Sequence, residues 1–312
     1  MDFTRFLDPL KELSDCSLCS RECHADRFGR ELGYCKSDAS FNISSICIHK
    51  GEEPVISGPR GICNAFFAHC NLQCIYCQNW QISINRTEIS EFGMEISEVI
   101  SQITSILDTG INMVGFVSPS HHIPQMKVII NIIHSLGYKP VWVFNTNGYD
   151  KPGIIRSLEG IIDVFLPDFK YMDKNLSEAY SDAPDYPEVA EEALKEMYRQ
   201  KGSALHINRE STAESGIIIR HLVLPGQVMN SVRVLRCIAE KLSPEVHISL
   251  MSQYYPTPLV SCHPYLSRPV STAEYSKVTK EMDRLGMHNG WIQSLESSGT
   301  YCPDFNKFHP FK

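Results

Sequence analysis

The sequence predicts an α/β protein, a partial (β/α)6 TIM barrel preceded by a small cysteine-rich module that binds metal. Three observations predict this class. Apolar runs and helical patterns alternate six times after residue 60, which favours right-handed βαβ units and a parallel sheet. The runs contain few polar residues, as in strands buried on both faces. Each run ends in polar residues, and the carboxyl ends of barrel strands are where such folds carry their sites.

The strands are predicted from short apolar runs, and the helices from apolar residues at helical spacing. Six units make an incomplete barrel, since a full barrel has eight. The predicted strands are residues 65–68, 113–117, 141–144, 161–166, 217–224 and 246–251. The predicted helices are residues 96–107, 126–136, 154–158, 187–197, 232–242 and 272–285. The predicted domains are a cysteine-rich module over 1–60, the barrel over 61–260 and a C-terminal extension over 261–312.

The composition of the chain is typical of a soluble enzyme. It has 312 residues, of which 43% are hydrophobic and 21% charged, enough for a large core. A net charge of −7 argues against nucleic acids and anionic membranes as partners, because both bind basic surfaces. No apolar run approaches the roughly 20 residues that span a bilayer, and no signal peptide opens the chain, so we expect a cytoplasmic protein. Its twelve cysteines should then be reduced, and clustered ones indicate metal ligands.

The central motif is a set of three cysteines within eight residues. Cys70, Cys74 and Cys77 lie directly after the first predicted strand. Thiols packed this closely are typical of metal ligands, and iron–sulfur clusters are usually held by four thiolates. A set of three leaves one iron without a protein ligand. We therefore expect the chemistry of the protein at that open position.

A second group of cysteines lies in the first 60 residues. Few apolar residues surround it, so this segment needs a staple to fold. A Cys-x-x-Cys pair with two further cysteines nearby predicts either tetrahedral zinc or a second iron–sulfur cluster. The alternative is a set of loose surface thiols. The cysteines of this group are Cys16, Cys19, Cys23 and Cys35.

Polar residues at the strand ends are the other candidates for a site. Asn147 ends the third strand, although Asn147-Gly148 is also a turn signal. Asp168 and Lys170 share one face of their strand, where they form either a site or an internal salt bridge. Arg220 interrupts an apolar run, and an unpaired buried charge is costly, so we expect it to be paired. His221 has the opposite orientation and fits a structural role equally well.

The Cys70–Cys77 spacing resembles that of the radical S-adenosylmethionine (radical SAM) superfamily. More narrowly, the chain from residue 16 to about residue 256 resembles the PflX-type proteins, relatives of the pyruvate formate-lyase activating enzyme. The set of motifs in this order is more specific than the cysteines alone. The motifs are the N-terminal cysteines, Gly51-Glu52-Glu53-Pro54, Cys70 to Asn79, Ser118-Pro119-Ser120-His121, Asn147-Gly148-Tyr149, Leu166 to Tyr171, Ile219 to Gly226 and Met251 to Tyr254.

The resemblance implies a [4Fe–4S] cluster on the three central cysteines, with SAM chelating the fourth iron. One electron from the cluster then splits SAM into methionine and a 5′-deoxyadenosyl radical, which takes a hydrogen atom from the substrate. Tyr76 corresponds to an aromatic residue near the adenine, and Asn147 to a residue that contacts SAM. Arg220 either meets the SAM carboxylate or braces Asp168.

One segment departs from the family pattern. Activating enzymes carry a Gly-Gly-Glu segment that binds the SAM amino group, whereas residues 115–121 stand in its place here. Ser118, Ser120 or a backbone carbonyl is expected to serve instead. In the same loop, His121 and His122 are either substrate contacts or solvated residues.

The resemblance also implies partners. A low-potential flavodoxin or ferredoxin is the expected electron donor. One version of the enzyme installs a glycyl radical on a partner enzyme, and another modifies a small molecule or peptide. The competing hypotheses are a non-catalytic iron–sulfur protein for electron transfer, whose central cluster would have a fourth protein ligand, and a zinc-dependent interaction module.

Overall fold

The parallel sheet that the sequence predicts is the centre of the fold. The computed structural model describes residues 3–29, 31–295, 303–307 and 309–311. Within these ranges the strands form one ten-stranded sheet. They are β1 (Phe41–His49), β2 (Ile62–Phe67), β3 (Gly93–Met94), β4 (Met113–Val117), β5 (Val141–Thr146), β6 (Val164–Pro167), β7 (His206–Ile207), β8 (Ala213–Leu222), β9 (His247–Met251) and β10 (Gly290–Ile292).

Six of these strands are the predicted barrel strands. They pair in parallel in the order β2, β4, β5, β6, β8 and β9, with β10 parallel outside β9. β1 is antiparallel on the other side of β2 and pairs with β3 in turn. Among the described residues, the strand order ends at β10 and β3, so the sheet does not close on itself. The predicted fold class, an α/β protein with an incomplete parallel barrel, is confirmed.

The helices lie between the strands and bury their apolar faces against the sheet. In the second barrel unit, Val99, Ile100 and Ile103 are buried as the helical spacing predicts. The helices are α1 (Pro54–Ser57), α2 (Trp80–Ser83), α3 (Ile96–Leu107), α4 (Ile123–Ser135), α5 (Pro152–Arg156), α6 (Lys174–Ser181), α7 (Tyr186–Lys201), α8 (Val228–Lys241) and α9 (Thr272–Arg284). None of the helices in the described ranges is long and apolar enough to cross a membrane.

The first strand is absent from the sequence prediction. β1 contains Asn42 and Ser45 among its apolar residues, and its pairing with β2 shifts register near Ser45. These polar residues hide the alternation that identifies a strand. β1 covers the edge of β2 that would otherwise be exposed to solvent, which protects the sheet from pairing with other chains.

The C-terminal segment contacts both sides of the strand order, at β9 and at β1 and β2. β10 extends the parallel order beyond β9. The rings of Phe305 and Phe311 lie 5.4 and 5.5 Å from that of Phe66 in β2. Phe311 also lies 4.0 Å from the ring of His49, at the end of β1. Cys302 belongs to neither of the two cysteine groups of the sequence, and it lies outside the described residues.

Candidate metal and cofactor site

One cavity at the carboxyl edge of the parallel strands contains the predicted central site. Its volume is about 190 Å³. Side chains from β8 and from the loops after β2, β4, β5 and β6 reach it, although these residues are far apart in the chain. The predicted residues that line it are Cys70, Cys74, Tyr76, Cys77, Ser118, Asn147, Asp168, Lys170 and Arg220.

The cysteine loop directly follows β2 and receives hydrogen bonds at its sulfur atoms. The Asn147 side-chain amide donates to Cys70 Sγ at 3.3 Å, and the Leu72 N–H donates to the same sulfur at 3.4 Å. The Ser181 hydroxyl donates to Cys74 Sγ at 3.0 Å. Donors aimed at sulfur stabilise thiolates and tune the potential of a bound cluster. This part of the site therefore fits an iron–sulfur group.

The thiols are protonated when no metal is bound. Burial raises the pKa of Cys70 to about 12 and that of Cys74 to about 11. Burial also raises the pKa of Cys77, against the opposing charge of Lys170. Metal ligands must be deprotonated, so metal binding here releases protons and becomes stronger as the pH rises.

A network of buried charges lies across the cavity from the cysteines. The Lys170 ammonium is 2.6 Å from Asp168 Oδ2, and the Arg220 guanidinium is 3.0 Å from Asp168 Oδ1. Burial of Asp168 opposes its ionisation, but the charges of Lys170 and Arg220 outweigh this effect and hold its pKa below the usual range. Asp168 therefore carries a negative charge at neutral pH.

Arg220 is fully engaged by protein atoms. Besides Asp168, it donates to Glu52 Oε2 at 3.1 Å and to Asn145 Oδ1 at 2.6 Å. Of the two roles expected from the sequence, this geometry favours a brace for Asp168. Lys170 has one carboxylate partner and lines the cavity, so it is the better placed cation for a ligand.

Glu52 is a site residue that sequence reasoning missed. Its carboxylate accepts from Asn64 at 2.9 Å as well as from Arg220, and it lines the cavity. In the sequence, only the motif resemblance marks the segment Gly51 to Pro54. The neighbouring Glu53 is buried, and burial raises its pKa against the charge of Arg220. The signal in the sequence for a site here is the pair of adjacent acids, Glu52 and Glu53, before a short apolar segment.

Asn147 and Gly148 form a turn beside the cysteine loop. The Asn147 amide also donates to Asn71 Oδ1 at 2.7 Å, so its side chain points at the cysteine loop. Gly148 has φ +82°, and a Cβ there would lie 2.3 Å from the Asp168 carbonyl oxygen. Only glycine fits this close approach. The turn is therefore what aims Asn147 at the cysteines.

Tyr76 and Ser118 both line the cavity. Tyr76 is buried, and its hydroxyl accepts a hydrogen bond from Tyr171 at 2.6 Å. Ser118 adopts a left-handed conformation, φ +54°, and its N–H donates to the Asn145 carbonyl at 2.9 Å. Non-glycine residues seldom take this conformation, and they cluster at functional sites.

The two histidines after β4 are neither solvated nor at the cavity. His121 and His122 are both buried, and the described lining of the cavity includes neither. His122 stacks on Phe67 with the rings 4.7 Å apart. Burial lowers the pKa of His121 to about 3, so its ring is neutral. Both expectations for this pair, a substrate contact or a solvated loop, differ from the structure.

The N-terminal cysteines surround a second, smaller cavity of about 20 Å³. Cys16, Cys19, Cys23 and Cys35 all line it, so the fold brings the predicted set together. Across the described residues, at this cavity as at the central one, no three His, Cys, Asp or Glu side chains are placed as ligands of a single metal ion.

His221 has a structural position behind the site. Its ring nitrogens are 2.7 Å from the Phe169 carbonyl and 2.9 Å from the Ser231 hydroxyl. Burial lowers its pKa to about 4, so neutral His221 stabilises the fold above pH 6.5, and this contribution is lost as the pH falls towards 4. The unfolding free energy of the wild type should fall by about 3 kcal/mol more than that of His221→Gln between pH 7 and 4. Urea unfolding at both pH values measures this, and parallel pH profiles would refute the assignment.

The chain has a distant relative of known sequence. No protein-family model matches it. It is 27% identical over 285 residues to an uncharacterized protein of Methanocaldococcus jannaschii, in an alignment that covers 88% of this chain and 75% of the relative.

Solved structures with a similar backbone share little sequence with the chain. A domain of a pyruvate-formate lyase-activating enzyme from Bacteroides vulgatus is 13% identical, with a TM-score of 0.38 over 55% of this chain and 93% of that one. HydG, a maturase of the [FeFe]-hydrogenase, is 13% identical, with a TM-score of 0.48 over 94% of this chain and 65% of that one. HydG from Carboxydothermus hydrogenoformans is 12% identical, with a TM-score of 0.47 over 95% and 64%. The chain thus spans about two thirds of the length of either HydG chain.

Proposed function

We propose that the protein is a radical SAM enzyme, in which Cys70, Cys74 and Cys77 hold a [4Fe–4S] cluster. The observation that carries this proposal is the convergence of three thiols and an ion-paired Asp168–Lys170 on one cavity. No fourth cysteine is among the described residues of its lining. Cys63, the nearest other cysteine in sequence, is buried within β2 and away from the cavity. A three-thiolate set leaves one iron for a ligand that is not a cysteine.

Residues around the cysteines suit the two ends of SAM. Its methionyl end carries a carboxylate and an ammonium group, and Lys170 and Asp168 offer the complementary charges. Tyr76 offers an aromatic face for the adenine, and Ser118 an oxygen for the amino group. When bound, the cluster supplies one electron to SAM, and the products after hydrogen transfer from the substrate are methionine and 5′-deoxyadenosine. The protein binds and orients these groups, and it excludes water from them.

The electron-transfer alternative is tested by a spectrum of the reduced cluster. The protein is reconstituted with iron and sulfide without oxygen, reduced with dithionite, and measured by electron paramagnetic resonance with and without SAM. Binding of SAM at the open iron should shift the g-values of the cluster. An unchanged spectrum at saturating SAM would favour a cluster with four protein ligands and thus the non-catalytic alternative.

Removal of the Lys170 charge should weaken SAM binding. In Lys170→Met the cavity loses the cation expected to face the SAM carboxylate, so the dissociation constant should rise by about 10- to 100-fold, as for a lost hydrogen bond to a charged group. Calorimetric titration of the reconstituted protein with SAM measures this. Lys174→Met is the matched control, because Lys174 is exposed and pairs with Glu188. Equal affinities in both variants would refute the role of Lys170.

The proposal includes two classes of substrate. A glycine of a partner enzyme needs a loop that enters the cavity, whereas a small molecule or peptide fits a narrower opening. The tilted rings of Phe311 and His49 contact each other at the lining and narrow the opening, which favours the small substrate. Transfer of deuterium from a labelled substrate into 5′-deoxyadenosine distinguishes the two classes. A low-potential flavodoxin or ferredoxin is the proposed electron donor, and a glycyl-radical enzyme is the partner in the activase version.

A further inference from the structure

The backbone from Cys16 to Cys35 follows a tightly turned path. Glu22, His24 and Lys36, each next to a cysteine, take left-handed backbone conformations with φ between +42° and +54°. Such conformations cost energy for non-glycine residues and persist where the surroundings require them. The Tyr34 N–H donates to Cys23 Sγ at 3.2 Å, and a Cβ on Gly33 would lie 2.9 Å from that sulfur. The backbone thus wraps closely around the thiols.

Arg21 connects this segment to the central cysteine loop. Its Nε donates to the Asn71 carbonyl at 3.1 Å, and Nη2 donates to the Asp182 carbonyl at 2.5 Å. The guanidinium lies 3.7 Å above the ring of Tyr34, which fixes its orientation. Arg21, which lies between Cys19 and Cys23, therefore bonds directly to Asn71, the residue that follows Cys70.

A second connection runs through Asn85. Its amide donates to the Tyr34 carbonyl at 2.9 Å and to the Cys70 carbonyl at 3.0 Å, and its oxygen accepts from the Cys70 N–H at 3.1 Å. Beside it, His69 Nδ1 donates to the Cys35 carbonyl at 3.0 Å. The backbone on both sides of Cys70 is thus anchored to the segment that carries the second cysteine set.

We propose that the N-terminal cysteines hold a second thiolate-bound metal centre, and that this centre fixes the position of the Cys70 loop through Arg21 and Asn85. The inference rests on the proposed function, because it treats the Cys70 loop as the cluster loop. Few apolar side chains hold residues 16–35 in shape, so metal binding supplies the rigidity that the two connections transmit. Four thiolates around one cavity suit either tetrahedral zinc or an iron–sulfur cluster.

The first test removes the metal ligands from the holoprotein. Cys16→Ser with Cys19→Ser should lose one metal centre, measured as iron and zinc per chain, and amide hydrogen exchange of residues 69–77 should become faster by about tenfold. Cys262→Ser is the control, because Cys262 is exposed and lies outside both cavities. Loss of one metal centre together with faster exchange would support the brace, whether the lost metal is zinc or iron. Unchanged metal content, or lost metal with unchanged exchange, would overturn the proposal.

The second test keeps all four cysteines. Arg21→Leu should retain both metal centres, yet exchange at residues 69–77 should again rise by about tenfold, as for one lost hydrogen bond to a charged group. Unchanged exchange in this variant would overturn the connection through Arg21 even if the double cysteine variant fails to fold. Formation of 5′-deoxyadenosine is measured separately. If exchange at residues 69–77 is unchanged in both variants while the protein still cleaves SAM, the brace is refuted and the proposed function stands.

Discussion

Cys74→Ser is expected to abolish assembly of the central cluster while the chain remains folded. Cys74 lines the cavity with Cys70 and Cys77, and two remaining thiolates are too few to hold a four-iron cluster. Iron should fall by about four atoms per chain relative to the reconstituted wild type. Formation of 5′-deoxyadenosine from SAM should fall to the level of the metal-free protein. Serine keeps the size of the side chain, so unfolding by urea should change little.

The matched control for this change is Cys237→Ser. Cys237 is also buried, but it lies in α8 near Glu191, away from the lining of the central cavity. This variant should keep the iron content and product formation of the wild type. A Cys74→Ser variant that retains a full cluster and its activity would show that another residue is the ligand.

Arg220→Met is expected to destabilise the fold by about 3–5 kcal/mol, the cost of breaking a buried ion pair by removing one partner. Arg220 is 14% exposed and forms ion pairs with Asp168 and Glu52, which are 18% and 10% exposed. Without it, Glu52 keeps only amide donors, and Asp168 keeps only Lys170. Urea unfolding at pH 7 measures the loss, provided that two-state behaviour is verified.

Two further measurements identify the origin of this loss. Glu52→Gln removes one unpaired charge, so the double variant Glu52→Gln, Arg220→Met should recover part of the lost stability. The low pKa of Asp168 makes its contribution present at neutral pH and lost as the pH falls through that pKa. The difference between the wild type and Arg220→Met should therefore shrink below about pH 4. A difference that is constant with pH and unaffected by Glu52→Gln would point to lost packing instead.

The sequence identifies strands best where burial is complete on both faces. Met113–Val117 is predicted with the observed bounds, because each of its residues is buried and apolar. β8 begins at Ala213, four residues before the predicted start, because Glu214 and Ser215 interrupt the apolar run. The sequence does not predict the helix Lys174–Ser181. Two of its three buried residues are serines, so no apolar spacing marks the helix.

The part of the candidate site that follows strand ends could be predicted from the sequence. Asp168 and Lys170 directly follow β6, so topology alone places them at the carboxyl edge of the sheet, whereas Arg220 lies within β8 and is marked only by its charge in an apolar run. Glu52 and Arg220 are 168 residues apart, and Arg21 and Asp182 are 161 residues apart. No periodicity or spacing specifies such pairs, because they depend on β1 covering β2 and on the N-terminal segment folding back. Local patterns therefore identify the candidate site residues but miss the distant residues that hold those side chains in place.

The most direct test of the central claim is the formation of 5′-deoxyadenosine. The protein is reconstituted with iron and sulfide without oxygen, given dithionite and SAM, and the nucleoside is quantified by chromatography against metal-free protein. The proposed function predicts 5′-deoxyadenosine and methionine in equal amounts, with none from Cys74→Ser. No 5′-deoxyadenosine from a protein whose iron content and visible absorption show an intact central cluster would contradict it.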